Sequence, residues 1–337
     1  MSKNADNSTI NEEFAQNIIN ERNRAKINQL SSLAVLVVLL IFFSVFAEGF
    51  FQYKNLIAIL NQLAIPLILA IGATFVIISG CIDLSIEGLM SLSGTIAAFF
   101  VLNSHNDNNL GFFSIVIVVG ASFGIGLLTG FIQVKTKVPS FLLTFAISSI
   151  LAGFTLLIYK GIPISIKDES FLAIAYTSFL GIPVLMWIAI IVLIIAIILE
   201  KYTAFGRYVY AIGSNESVPK SNGININKVK ILVFGFSGLC IGIAGVLGAS
   251  RIAYGDLAIG SDNLFSTITA VVLGGTALSG GKGGMINTLI GAVIVTILKN
   301  GLILLGVNPF IINGIQGMII LVAVVLSIER GRGQIIK

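Results

Sequence analysis

The amino-acid sequence predicts an all-α membrane protein of about ten transmembrane helices, arranged as two inverted repeats. Three observations predict it. Apolar residues make up 56% of the chain and charged residues only 10%, whereas a soluble domain carries about 25% charged residues. Apolar runs recur along the chain at the length of about 20 residues that a helix needs to cross hydrocarbon. The basic residues fall between these runs with a strong bias to one side. The 36 glycines suit the same class, because small residues let helices approach closely in lipid.

The elements follow in order. Residues 1–30 are polar, include Arg22, Arg24 and Lys26, and read as a cytoplasmic tail. Apolar runs then lie at about 31–47, 56–79, 86–102, 112–134 and 139–158, and resume at about 183–199, 229–249, 264–279, 285–306 and 309–327. The first run starts too late and is too long for the apolar region of a cleavable signal. The polytopic domain spans 31–329, and 330–337 forms a second cytoplasmic tail. With the N-terminus inside, fifteen of the 20 Lys and Arg residues are cytoplasmic. Only Lys54, Lys160, Lys167 and Arg251 fall outside, and Lys299 lies within a span. The net charge of +5 therefore reads as loop orientation rather than nucleic-acid binding. The mixed stretch 159–182 is external, suited to a short interfacial helix or a docking surface. Cys81 and Cys240 have neither disulfide nor metal-ligand spacing and read as small packing residues.

An internal repeat supports the architecture. Asp83-Leu84-Ser85-Ile86 recurs as Asp256-Leu257-Ala258-Ile259. In the same register Ser93 meets Ser266 and Ala97 meets Ala270, and Val138-Pro139 meets Asn308-Pro309 at nearly the same offset. The copies cover about 56–158 and 229–327. Asp83 falls on the cytoplasmic side and Asp256 on the external side, so the copies are inverted, as in many transporters.

Polar residues inside the runs are the candidates for a pathway. Asp83 and Glu87, four apart, share a face if both are helical. They are either gate residues facing a cavity, together with Ser85, or carboxylates capping a helix N-terminus. Asp256 is the repeat partner of Asp83. Lys299 and Asn300 intrude in the ninth run, although a lysine can snorkel to the surface. Asn61 and Gln62 are placed to hydrogen-bond either a polyhydroxylated solute or a neighbouring helix. The segment from Leu273 to Gly284 is glycine-rich, yet Thr276 stands where a phosphate loop needs its first glycine. Gly283 also follows Lys282 in place of Ser or Thr. The chain therefore has no nucleotide site of its own. The sole histidine, His105, lies in an external loop, which leaves an intramembrane Ser–His hydrolase without its base. An aspartate dyad would need Asp83 and Asp256 to meet across the membrane. A stand-alone carrier driven by protons or sodium would rely on Asp83 with Glu87.

The cytoplasmic loop at about 200–228 is neither low-complexity nor simply charged. It carries Thr203, Phe205, Gly206, Arg207, Ala211, Ile212, Gly213, Asn215, Gly223 and Ile224. With Ile82-Asp83-Leu84-Ser85, Pro139-Ser140-Phe141, Val272-Leu273-Gly274-Gly275, Gly280-Gly281 and Asn300-Gly301-Leu302, it resembles the permease subunits of ribose/xylose/galactose-type ABC importers. The resemblance runs from about residue 55 to the C-terminus. Cys81 departs from the usual glycine, Glu87 from a small residue, and Ser217-Val218-Pro219 from an alanine-rich coupling helix.

The resemblance implies a fold like that of the vitamin B12 importer permease, paired as a homodimer or with a related chain in a bacterial cytoplasmic membrane. A cytoplasmic ATPase subunit, which holds the ATP and magnesium, would grip Phe205, Gly206, Arg207, Gly213, Asn215, Glu216, Ser217, Ser221 and Gly223. An extracytoplasmic binding protein would deliver a monosaccharide. Bulky or acidic replacements at Gly206 and Arg207 are expected to separate ATP hydrolysis from transport while membrane insertion continues. Uptake at the wild-type rate in such variants would contradict the coupling role.

Overall fold

The computed structural model describes residues 32–107 and 109–327; the two terminal tails expected at 1–30 and 330–337 lie outside them. A helix occupies each of the ten apolar runs. The first five are α1 (Ser32–Phe46), α2 (Tyr53–Ile78), α3 (Ile86–Phe100), α4 (Phe113–Thr136) and α5 (Ser140–Tyr159). After the short strand β1 (Ile164–Ser165) come α6 (Glu169–Tyr176), β2 (Ser178–Phe179), β3 (Ile182–Pro183) and α7 (Val184–Tyr202). The polar segment that follows folds as α8 (Ala204–Ser214) and α9 (Ser217–Ser221). The chain continues with α10 (Ile226–Ile252), β4 (Tyr254–Gly255), α11 (Asn263–Leu273), α12 (Met285–Leu304) and α13 (Pro309–Ser327).

Among the described residues, α2, α4, α5, α7, α10 and α12 are long and apolar enough to cross a membrane. The protein is thus an all-α integral membrane protein. Helix α3 has 15 residues and α11 has 11. At 1.5 Å per residue both fall short of the ~30 Å hydrocarbon core, and each follows a break in helical structure. Two expectations change here. The run at 264–279 is helical only to Leu273, because Gly274 caps it and Gly275 adopts a positive φ of 88°. Asp83 precedes α3 in non-helical backbone, so it shares no helical face with Glu87.

Helices α2 and α10 form the centre and run in opposite senses. Helix α2 starts with Tyr53 beside Gly181 in the β2–β3 turn and ends with Ile78 against Gly213 of α8. Helix α10 starts near α9, where Lys230 pairs with Glu216 at 2.5 Å. It ends at α6, where the Ser250 hydroxyl donates to the Phe171 carbonyl at 2.8 Å. Twenty-seven residues separate these ends by about 40 Å, so α8–α9 cap one end of the bundle. Helix α6 and the antiparallel pair β1–β4 cap the other.

The helix pairings repeat. Exchanging α2 with α10, α3 with α11, α4 with α12 and α5 with α13 maps α10–α4 onto α2–α12, α10–α3 onto α2–α11, and α3–α5 onto α11–α13. Packing at the centre relies on small residues. At the α4–α10 crossing, Gly126 lies against the Phe234 carbonyl and Gly238 against the Ser122 carbonyl, with no room for a Cβ at either. Overpacking a tight site costs about 1–3 kcal/mol. Gly238→Val is therefore expected to lower the unfolding temperature in detergent by several degrees. Gly124→Val, on the open face of α4 where nothing lies within 4 Å, is expected to leave it nearly unchanged. Equal shifts would contradict the close-packed crossing.

Candidate transport pathway and coupling surface

Gly80, with φ of 78°, ends α2, and residues 81–85 pass through the bundle as non-helical backbone. Backbone polar groups in hydrocarbon must be satisfied internally. Helix α5 does this with three hydroxyls on one face, spaced by four residues. Ile82 N–H donates to Ser140 Oγ at 2.9 Å, Leu84 N–H to Thr144 Oγ1 at 2.8 Å, and Gly88 N–H to Ser148 Oγ at 3.1 Å. Thr144, fully buried, sends its own proton to the Ser140 carbonyl at 2.8 Å.

Asp83 closes the same segment. Its Oδ1 accepts from the N–H of Ser85 at 2.9 Å and from the Ser85 hydroxyl at 2.6 Å, and its Oδ2 accepts from Ser237 Oγ at 2.9 Å. Asp83 and Ser85 are only 6% and 3% exposed. Asp83 thus clasps the break to the middle of α10. In the second break Asp256 repeats the local geometry: its Oδ1 accepts from Ala258 N–H at 2.9 Å and caps the short 3-10 turn Leu257–Ile259. Glu87 crosses from α3 to accept from Leu264 N–H at 3.3 Å, in the first turn of α11. Ser91 fastens the same contact, donating to the Leu257 carbonyl at 3.0 Å and accepting from Gly260 N–H at 3.2 Å. Glu87 thus serves the first turn of α11, whereas Asp83 bonds Ser85 and Ser237 and caps no helix. Asp83 and Asp256 do not meet: one lies beside Ser237, the other beyond the end of α10.

The remaining pathway candidates scatter. Asn300 is buried and exchanges two hydrogen bonds with Asn55, at 3.0 and 3.1 Å, pinning α12 to the start of α2. Lys299 is exposed on the outer surface, as snorkelling requires. Asn61 and Gln62 are half-buried on α2. Gln62 Oε1 and Thr296 Oγ1 of α12 are buried without a hydrogen-bond partner among the described residues. A cavity of about 550 Å³ opens at the C-terminal ends of α3 and α5, lined by Ile96, Phe99, Phe100, His105, Ile158 and Lys160. None of the sequence-derived candidates lines it.

Residues 203–223 fold as a compact knob at one end of the bundle. Thr203 is the only non-helical residue between α7 and α8, and its hydroxyl caps α8 by accepting from Gly206 N–H at 3.4 Å. Gly206 is pressed against the Glu200 carbonyl. Phe205 packs 5.4 Å from the Phe75 ring of α2. Asn215 Oδ1 starts α9 by accepting from the N–H and hydroxyl of Ser217, at 3.0 and 2.8 Å. Ser221 Oγ donates back to the Ser217 carbonyl at 3.0 Å, and Gly223 closes the turn with φ of 74°. Arg207, Asn215, Glu216, Ser217, Ser221 and Gly223 are all exposed. They are solvent-facing positions of the knob, polar except at Gly223. Gly213 faces inward, with no room for a Cβ between the Ile78 carbonyl and Gly281.

Sequence reasoning missed two groups. The α5 hydroxyls follow a four-residue spacing that was visible in the chain, but the break that needs them was not. Glu200 is buried, and burial together with its carboxylate pushes the Tyr210 phenol well above the usual tyrosine range. An acidic residue closing an otherwise apolar helix was the available signal.

These features define a polytopic permease core with a polar knob at one end of the bundle. Residues 55–324 match the family described as branched-chain amino acid transport system / permease component. The chain belongs to that family. It is 36% identical over 308 residues to the ribose import permease protein RbsC of Escherichia coli K12, covering 90% of this chain and 95% of that protein. The RbsC of Bacillus subtilis is 34% identical over 294 residues, covering 87% and 90%. The L-arabinose transport system permease protein AraH of E. coli K12 is 32% identical over 300 residues, covering 89% and 90%. No solved structure matches.

Thr144→Val keeps the side-chain shape but leaves the half-buried Leu84 N–H without its acceptor, a loss of about 1–3 kcal/mol. Its unfolding temperature in detergent is expected to drop, while Ser149→Ala on the exposed face of α5 leaves it unchanged. A Thr144→Val protein as stable as wild type would contradict the hydroxyl support.

Proposed function

We propose that this chain is the transmembrane permease subunit of a binding-protein-dependent ABC importer that moves a monosaccharide, ribose or a close relative, into the cytoplasm. The observation that carries the reading is near full-length similarity to ribose and arabinose permeases, combined with an exposed polar knob at one end of the bundle. In this reading α8–α9 seat a cytoplasmic ATPase, which holds the nucleotide and its magnesium. An extracytoplasmic binding protein delivers the sugar to the end capped by α6. The sugar crosses unchanged by alternating access.

The ten apolar runs are then ten crossings of a bacterial inner membrane, α3 and α11 together with the non-helical segments beside them, with both termini cytoplasmic. The exchangeable pairings and the opposed senses of α2 and α10 support two inverted repeats and a fold like that of the vitamin B12 importer permease. Helix α5 packs by its hydroxyl face and exposes Phe141, Phe145 and Phe154 on the other, an apolar face suited to a second permease copy. The chemistry of sugar choice is shared with the binding protein.

Gentle detergent extraction from native membranes tests the partnership. A tagged permease is expected to bring an ATPase subunit with it in stoichiometric amount. Repeated isolation of the permease without any ATPase would contradict the importer reading.

A further inference from the structure

Glu200 sits in the last turn of α7, where a carboxylate is disfavoured by that helix's own dipole. Its position makes sense from α12. Met285 N–H, the first of that helix, lies 3.3 and 3.2 Å from the two Glu200 oxygens. A carboxylate at a helix N-terminus is held by unpaired N–H groups and by the dipole. The carboxylate is only 8% exposed, so this contact is shielded from water. On its other side the Tyr210 hydroxyl of α8 lies 2.6 Å from Glu200 Oε1 and 2.9 Å from the Gly283 carbonyl.

One phenol therefore touches both the carboxylate that caps α12 and the loop that leads into it. The bond also spans the single non-helical residue between α7 and α8, Thr203, and so fixes the angle at which α8 leaves the bundle. At the far end of α8, Gly213 packs on the Ile78 carbonyl, which accepts from Gly281 N–H at 2.8 Å. A tilt of α8 about Thr203 would strain the Tyr210 contacts, because they join the inner side of the helix to α7 and to the loop before α12.

We propose that Tyr210 and Glu200 form a positioning latch that converts movement of α8 into movement of the first turn of α12 and the 274–284 loop. The latch rests on the reading of α8–α9 as the ATPase seat, and it goes further by naming the residues that link that seat to the bundle. Neither side chain belongs to the exposed docking face. Removing the link leaves docking intact and changes what docking achieves.

The test uses the assembled transporter in proteoliposomes, with labelled ribose and the binding protein supplied outside. Tyr210→Phe removes only the hydroxyl. The amount of bound ATPase is expected to stay at the wild-type level. Sugar moved per ATP hydrolysed should fall about tenfold, the effect of losing one hydrogen bond to a charged group. A purely structural role would lower assembly and hydrolysis together and leave the ratio unchanged, which would overturn the latch. Glu200→Gln, which keeps the shape but not the charge, is expected to lower the ratio as well. It carries the test if the Phe variant fails to insert, and a wild-type ratio in it overturns the proposal. A wild-type chain that binds no ATPase would overturn the docking reading and the latch together. A coupled wild type with a coupled Tyr210→Phe would overturn the latch alone.

Discussion

A chain that interrupts its helix inside hydrocarbon must find hydrogen-bond partners for the backbone it exposes. That constraint organises this protein. Residues 81–85 interrupt the path between α2 and α3, and the cost of stranding a buried N–H is about 1–3 kcal/mol each. Ser140 and Thr144 of α5 accept two of these N–H groups and Ser148 accepts a third from Gly88 in the first turn of α3, while Asp83 turns the segment and ties it to Ser237. Because α5 is committed to this support on one face, its other face is left apolar and outward. Because the segment consumes depth without helix, α3 is short and its N-terminal end lies inside the bundle. There Glu87 and Ser91 meet the second break.

The same arrangement separates a quiet core from two working ends. Antiparallel α2 and α10 pack closely, with glycine and serine where α4 crosses α10, so that region behaves as a rigid body. The end bearing α8–α9 is polar and exposed. It joins the bundle through Gly213, Phe205 and the Glu200–Tyr210 contact rather than through a covalent continuation of one long helix. The opposite end is closed by α6 and two short strand pairs, with the Phe-lined cavity beside it. The proposed importer would be driven from the first end and loaded at the second.

Much of the architecture was legible in the chain. Each apolar run holds a helix, because a stretch of about 20 apolar residues has few other ways to satisfy its backbone in lipid. The repeated Asp-Leu-Ser/Ala-Ile motif marked two equivalent breaks, and both aspartates accept from the N–H two residues on. The chemistry assigned to those aspartates was less legible. A carboxylate flanked by apolar residues looks the same in a linear sequence whether it faces a pathway or ties one segment to another. Only the position of Ser237, 154 residues away, distinguishes the two. Asn300 posed the same difficulty, since its partner Asn55 lies 245 residues earlier. The α8–α9 knob was read from local motifs and folds locally, whereas the position of Glu200 depends on Met285 and stayed hidden.

The central claim is that this permease moves sugar only when a partner hydrolyses ATP. Uptake of labelled ribose and arabinose into proteoliposomes containing the permease, its ATPase and its binding protein tests that claim most directly. The account predicts uptake that requires ATP and the binding protein and that persists after ionophores collapse every ion gradient. Uptake driven by a proton or sodium gradient, with no ATP present, would contradict it.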